Sequence, residues 1–332
     1  MKTCIQPVAP FECTISNQKQ TRCAFTLIDL LVLVVIIALL AAVLLPAGAA
    51  SKLKPQQIEC MANLKQLAVA GNLYVGDFGK FMQPSGAHSA LGANGEWFGA
   101  LLNYFNKNTN VLLCPTAPTP VPQPVPVSGP VGMGNTPGLG GNPTVQTYTG
   151  AADHCYIRAL SSDGTLQWNA VNCSYTYNGW MYTNPDGTGG GDGKALEQAS
   201  GVTDPAWYYG KENTMEQPSV TPYFVDGLWD DAWPTEKDHP PKNLYYGMFA
   251  GASNLHVNEI GRFIMQRHGT VNPVAAARNY TTSWAILPPP GAEVIALADG
   301  HVELTTLVNL YAYRWHKAWN PALVNLQILP PY

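Results

Sequence analysis

Charge is scarce in this sequence. Only 12% of its 332 residues are Asp, Glu, Lys or Arg, about half the usual share. Lys and Arg number 18 against 22 acids, for a formal net charge of −4. No basic surplus exists to neutralise phosphates, so a nucleic-acid partner is not expected. Familiar catalytic strings are missing too. The seven histidines form no HExxH, and there is no G-x-S-x-G, Walker loop or GxGxxG, which removes the sequence signatures of zincins, α/β-hydrolases, P-loop NTPases and dinucleotide enzymes. No CxxC pair or zinc-finger spacing occurs among the cysteines. What is abundant points elsewhere. Hydrophobic residues make up 46% of the chain, and 31 Gly, 28 Pro, 16 Tyr and 9 Trp suit a β-rich, loop-rich head with a real core.

One long hydrophobic run is present. Phe25 to Leu45 carries a single charge, Asp29, and Leu30 to Leu45 holds only Leu, Val, Ile and Ala. As a helix this run would be about 31 Å long, close to the roughly 30 Å of a bilayer core. Lys2, Lys19 and Arg22 precede it against Glu12, a bias that keeps the N-terminus cytoplasmic. A secretory signal peptide cut at Ala47-Gly48-Ala49 and a plain anchor are the simpler readings. Neither accounts for Asp29, because a carboxylate at that depth costs a few kcal/mol.

The string Ala24-Phe25-Thr26-Leu27-Ile28-Asp29-Leu30-Leu31 resembles the cleavage and methylation signal of type IV pilins and type II secretion pseudopilins. The resemblance implies cutting between Ala24 and Phe25 by a prepilin peptidase, methylation of the new Phe25 amine, and an assembly role for Asp29. Ala24 stands where the family usually has Gly, and Asp29 where it usually has Glu. Pro46 falls where such helices often carry a kink. A second resemblance, to the H-X9-DG processing-associated domain, rests on Arg267-His268-Gly269 and Ala298-Asp299-Gly300-His301-Val302-Glu303. Its motif residues here are His268, Asp299 and Gly300, with thirty residues between the His and the Asp in place of nine.

These resemblances imply an α+β, pilin-like fold: a long N-terminal helix, half transmembrane, packed on an antiparallel β-sheet head with large Pro/Gly-rich loops. The divisions are a cleaved leader at 1–24, a transmembrane or filament-core helix at 25–50, its extracytoplasmic continuation at 51–76, and a head at 77–332. The head holds a loop at 115–150 and a hairpin at 293–304. The implied function is a structural subunit of a pilus-like or pseudopilus-like filament. It would sit single-pass in the inner membrane with a periplasmic head and a cytoplasmic N-terminus. Its partners would be copies of itself, the prepilin peptidase, an assembly platform and other pilins, and no enzymatic role is expected. The alternatives are a membrane-tethered protein whose aromatic head binds polysaccharide, and a secreted enzyme with an uncleaved anchor.

Removing the leader shifts the net charge from −4 to −6 and leaves four cysteines, Cys60, Cys114, Cys155 and Cys173. An even number in an exported segment reads as disulfides. Three pairings are open; Cys60–Cys114 with Cys155–Cys173 is favoured, and free buried thiols are the alternative.

After the membrane run, Ile58, Met61, Leu64, Leu67 and Ala68 recur at helical spacing and predict a face docked on a sheet. Gly76, Asp77 and Gly79 end that helix. Nine Pro and seven Gly fall between 115 and 150, with VPQPVPV reading as a polyproline stretch, and 186–193 is a second Gly-rich loop. Strands are predicted at Ser174–Asn178, Thr221–Val225 and Arg262–Met265. Glu293–Ala298 and His301–Leu304 flank Asp299-Gly300, the signature of a type I′ hairpin. Leu307–Trp319 is expected to cap the sheet. Asp226, Asp230 and Asp231 form the densest acidic group, and calcium is the cofactor they suit as hard oxygen ligands. Solvated turn acids are the plainer reading. A metal held by His268, Asp299 and His301 is weighed against His268 simply bonding the hairpin.

Overall fold

The computed structural model describes residues 27–82, 97–120, 149–162, 165–183, 205–249 and 258–327. The leader, the Ala24–Phe25 junction, most of the 115–150 loop and the 186–193 tract lie outside the described residues. Two compact units are distinguished, 1–49 and 50–332. Helix α1 (Leu27–Phe78) contributes to both.

In the first unit, the described side chains of α1 run from Leu27 to Leu39, and all are exposed. Among the described residues no helix is long and apolar enough to cross a membrane. This corrects the transmembrane expectation for 25–50 and, with it, the single-pass inner-membrane placement.

In the second unit, α1 buries Cys60, Leu64, Leu67, Ala68, Gly71, Tyr74 and Val75. Their spacing of three and four residues is a continuous helical stripe. Ile58 lies off it and is 66% exposed. At about 100° per residue, Ile58 sits some 200° from Cys60, so the docking face is set by the cysteine and not by the isoleucine. Gly71 is part of the close approach: a Cβ there would strike the Tyr223 ring. The helix ends at Gly79, whose φ is +66° and whose N–H donates to the Val75 carbonyl at 2.8 Å. That is an αL cap, which favours glycine for lack of a Cβ.

The main sheet has five strands in the order β5-β3-β4-β6-β7: β3 is Tyr175–Asn178, β4 Pro222–Asp226, β5 Asp231–Ala232, β6 Ala292–Leu297 and β7 Val302–Thr306. Strand β5 pairs with β3 in parallel and the remaining pairings are antiparallel. The sheet is therefore mixed, and with no described membrane span the pilin-like architecture does not stand. A separate antiparallel ribbon joins β1 (Tyr156–Ser162) to β2 (Thr165–Cys173), which the sequence reading does not include. Every residue of β3, β4 and β6 is buried, so these strands are covered on both faces. Helix α1 is anchored by polar contacts as well, with Lys65 Nζ on the Gly300 carbonyl at 2.5 Å and Asn63 Nδ2 on that of Leu113 at 2.9 Å.

Two local expectations change. The β6–β7 connection is not a two-residue type I′ turn. Only Gly300 has positive φ (+88°), and its N–H donates to Leu297 O at 2.8 Å while Leu297 N–H donates to His301 O at 2.9 Å. This is a three-residue loop closed by a glycine in the αL region. Arg262–Met265 is not a strand, because Glu259–Arg262 forms a 3-10 turn and the apolar residues after it are packed irregularly into the core.

The core is aromatic. Trp97, Trp180, Trp284 and Trp315 are almost fully buried, and Tyr177 lies within ring contact of Trp97, Tyr182, Tyr223 and Phe224. The C-terminal segment caps the sheet as expected. Its Trp315 Nε1 donates to Leu310 O at 2.7 Å, and His316 stacks on Trp207 at 4.3 Å. Glu236 fastens this segment, with Oε2 3.2 Å from His316 Nε2 and Oε1 accepting from the Asn320 N–H at 2.7 Å. Burial pushes the Glu236 carboxyl up, but the hydrogen bonds from His316 and Asn320 more than offset it and hold it below its ordinary value of 4.5.

Leu64→Ala should destabilise the protein by about 2–5 kcal/mol in urea unfolding, whereas Ile58→Ala should change stability by no more than about 0.5 kcal/mol. The reverse order would place the docking face elsewhere. A depressed carboxyl contributes stability above its unfolded pKa and loses it as pH falls through the folded value. Glu236→Gln should therefore lower the urea midpoint near neutral pH and converge on wild type as the pH is lowered below 4.5.

Candidate functional site

Four chain segments deliver polar side chains into one buried centre. Cys60 arrives on the docking stripe of α1, fully buried. Cys114 follows the 3-10 turn Thr109–Leu112 and opens a further turn in which Ala117 N–H donates to Cys114 O at 2.8 Å. Ser174 N–H donates to Leu112 O at 2.9 Å and holds this loop beside β3. Asp226 is the last residue of β4. Gly227 then lets the chain pass the Thr176 side chain, which a Cβ would strike. His268 is clamped to the start of β6 by two reciprocal backbone hydrogen bonds with Ala292, each 3.0 Å.

The side chains meet at short range. His268 Nε2 lies 3.1 Å from Asp226 Oδ2 and 3.4 Å from Cys114 Sγ. The Cys60 thiol donates to Asp226 Oδ1 at 3.3 Å and accepts from Tyr175 Oη at 3.4 Å. One donor atom from each of Cys60, Cys114, Asp226 and His268 lies within 4.8 Å of all the others. Arg267 closes the centre. It is fully buried, its Nη1 stands 3.4 Å from Asp226 Oδ1, and the guanidinium donates to the carbonyls of Ala151, Ala152, Ser174 and Gly227 at 2.6–3.1 Å. The Val294 N–H donates to Asp226 Oδ2 at 2.8 Å.

Electrostatics polarise the two thiols in opposite directions. Burial pushes the Cys60 thiol well up, and neighbouring Cys114 and Asp226 add to the effect. Burial also pushes Cys114 up, but the hydrogen bond from Cys60 and the positive charge of His268 outweigh it and hold Cys114 at about 5. Burial disfavours the charge of His268, yet Asp226 and Cys114 raise it well above its ordinary value. Asp226 is lowered: burial acts against it, and His268, Arg267 and the Val294 amide overcome that. Glu293, next along β6, has both carboxyl oxygens buried with no hydrogen-bond partner. Burial and Asp226 push its carboxyl well up.

Several sequence-predicted residues come together here in a combination their separate readings do not contain. Cys60 and Cys114 are neighbours and Cys155 lies near Cys173, but all four, expected as two disulfides, are free buried thiols in this structure. Burial pushes Cys155 and Cys173 up to about 12 each. The acidic group proposed for calcium is dispersed. Asp226 turns into the centre, while Asp231 accepts from Tyr182 Oη at 3.2 Å and faces Arg262 at 3.5 Å. Among the described residues, Asp226, Asp230 and Asp231 do not form a shared metal-ligand group. The motif residues separate too. His268 is buried, whereas Asp299 accepts from the His301 N–H and imidazole at the exposed hairpin loop, 3.0 and 2.7 Å away. Gly300 supplies that loop's positive φ.

Arg267, Glu293 and Tyr175 have no assigned role in the sequence reading. The available signal is a charged residue inside an apolar strand pattern, Glu293 before Val294-Ile295-Ala296-Leu297. A thiolate beside a histidine and a carboxylate has the composition of a nucleophilic group. Here Cys60, Cys114 and Asp226 are fully buried and His268 is 4% exposed. A reactive cysteine needs access, so the geometry favours a structural centre.

The chain matches no family model, no curated protein and no solved structure in the comparisons made.

Arg267→Met removes the cation beside Asp226 and strips four carbonyls of their donor. Breaking a buried pair from one side costs about 3–5 kcal/mol, so the urea midpoint should fall steeply. Arg267→Lys should recover little of it, because one ammonium cannot span the same acceptors. Full recovery by Lys would mean that charge alone matters at this position.

Proposed function

We propose that this chain is a structural, self-assembling subunit whose copies join through the apolar helical segment near the N-terminus, with the unit at 50–332 as a rigid head. One observation carries the reading. The large hydrophobic residues Leu27, Ile28, Leu30 to Ile37 and Leu39 are all solvent-exposed, from 46% at Leu33 to 80% at Leu27. Consecutive positions on an α-helix point in every direction. A helix apolar on every side is covered on every side in its working state. A single partner surface would cover one stripe only. Several copies of the same segment, packed side by side, supply matching apolar surface all round.

Asp29 fits this reading as the one polar feature of the segment. It lies in the first turn of α1, where a carboxylate interacts favourably with the helix dipole. Cleavage between Ala24 and Phe25, at the junction resembling a prepilin signal, would place a new amine four residues away from it. An ion pair from that amine to Asp29 of a neighbouring copy would fix the axial register of otherwise featureless apolar helices. In a low-dielectric bundle such a carboxylate is tolerated when paired and penalised when alone.

The polysaccharide-binding alternative receives less support. Trp229 and Trp233, the aromatics weighed for stacking on sugars, are only 5% and 8% exposed and serve the core.

Assembly is the test. Full-length chain should form particles containing many copies, seen by electron microscopy and sedimentation. Val34→Asp should leave it dispersed with the urea unfolding of the head unchanged. Asp29→Ala should abolish or strongly slow assembly, and Asp29→Glu should restore it. If Asp29 served only as a first-turn helix residue, its loss would cost about 0.3–1 kcal/mol of local stability and assembly would persist. Wild-type chain that stays monomeric after correct processing would overturn the proposal.

A further inference from the structure

We propose that Cys60, Cys114, Asp226 and His268 form a tetrahedral site for a zinc ion that ties α1, the Cys114 loop, β4 and the segment entering β6 into one head. The donor set is the first reason. Two sulfurs, one imidazole nitrogen and one carboxylate oxygen are ligands that zinc accepts in closed, four-coordinate structural sites. Calcium and magnesium take all-oxygen shells, so the two thiols argue against both. Soft and borderline ions remain, and among them the combination of thiolate, imidazole and carboxylate is best suited to zinc.

The geometry is the second reason. Bonds of about 2.0–2.3 Å to a tetrahedral centre place neighbouring ligand atoms roughly 3.3–3.8 Å apart. The observed separations are 3.1 Å from His268 Nε2 to Asp226 Oδ2, 3.3 Å from Cys60 Sγ to Asp226 Oδ1, and 3.4 Å from Cys114 Sγ to His268 Nε2. No donor atom of the four is more than 4.8 Å from another. The side chains thus converge close to the required spacing, with no pair more than about 1 Å beyond it.

Outer hydrogen bonds are the third. Metal ligands are held in orientation by groups behind them. Tyr175 Oη donates to Cys60 Sγ, and Arg267 and the Val294 N–H donate to the Asp226 oxygens. The backbone of His268 is fixed on Ala292 from both sides. Charge also balances. Two thiolates and one carboxylate carry three negative charges; a divalent ion offsets two, and the buried Arg267 guanidinium offsets the third. Such neutrality matters where nothing is solvated.

The four ligands lie far apart in sequence, at 60, 114, 226 and 268, which is why no short-range zinc spacing is visible. A site assembled from four distant segments exists only in the folded chain, so its binding free energy is folding free energy. The expected consequence is a structural cross-link between the helix and the sheet, independent of how copies assemble.

The test uses the full chain purified under reducing conditions, dialysed against a chelating resin, and titrated with zinc against a colorimetric chelator. One equivalent of zinc should bind per chain, and melting temperature should rise with zinc and fall with excess chelator. Cobalt(II) in place of zinc should give the visible bands of a tetrahedral, thiolate-ligated ion. Tyr175→Phe, which keeps all four ligands, should bind zinc roughly 10–100-fold more weakly. Cys155→Ser should leave stoichiometry and affinity unchanged. Three outcomes would overturn the proposal: folded wild-type chain that takes up no zinc, one equivalent retained by the Cys60→Ser/Cys114→Ser double variant, or protein isolated without reductant that is metal-free with Cys60 and Cys114 joined in a disulfide.

Discussion

The head depends on a buried carboxylate. Asp226 has no solvent contact, and a bare carboxylate there would be prohibitively expensive. Its oxygens are instead met by Arg267, His268, Cys60 and the Val294 amide. They come from three parts of the chain, Arg267 and His268 being adjacent, so neutralising one charge requires that α1, β4, β6 and the segment entering β6 all be in register. Arg267 extends the same constraint by donating to carbonyls at 151, 152, 174 and 227. The cost of leaving any of these groups unpaired is what makes the arrangement specific.

Around this polar centre the core is filled mostly by rings. Tyr and Trp supply large apolar area, and their polar tips are repeatedly spent on backbone carbonyls: Trp97 on Asp230, Trp180 on Pro234, Tyr156 on Tyr175. Such bonds suit a head with short strands and many 3-10 turns, where carbonyls left over from regular pairing need donors. The aromatic richness of the sequence is therefore largely a packing solution, and it leaves little for a sugar-binding surface.

Much of the local architecture was legible because short-range rules operate there. The helical stripe through Leu64, Leu67 and Ala68, the stop at Gly79, and strands β3, β4 and β6 follow from periodicity and turn chemistry. The stripe expected to pass through Ile58 passes instead through Cys60, since Ile58 is 66% exposed and Cys60 fully buried. The Asp299-Gly300 hairpin has the right arms but a longer loop, because Ala298 joins the turn and Gly300 alone takes positive φ. The β1–β2 ribbon is not among the expected strands, although Thr165–Cys173 alternates in the strand manner. The apolar run after Arg262 suggested a strand, yet burial there is met by irregular backbone.

The buried centre was legible only as parts. The sequence presents Cys60 and Cys114 as disulfide partners, Asp226 as a calcium ligand and His268 as a motif histidine. Adjacency in sequence suggested grouping Asp226 with Asp230 and Asp231; the strand end and Gly227 send them to different partners. Membrane spanning was likewise expected from hydropathy, whereas among the described residues no helix is long and apolar enough to cross a membrane. Sequence by itself determined composition, the apolar N-terminal segment, the helix face and the strand-forming runs, since these depend on neighbours within a few residues. Only the tertiary structure decided that two thiols, an imidazole and a carboxylate share one dry site, because that convergence is set by long-range pairing, with no periodic trace along the chain.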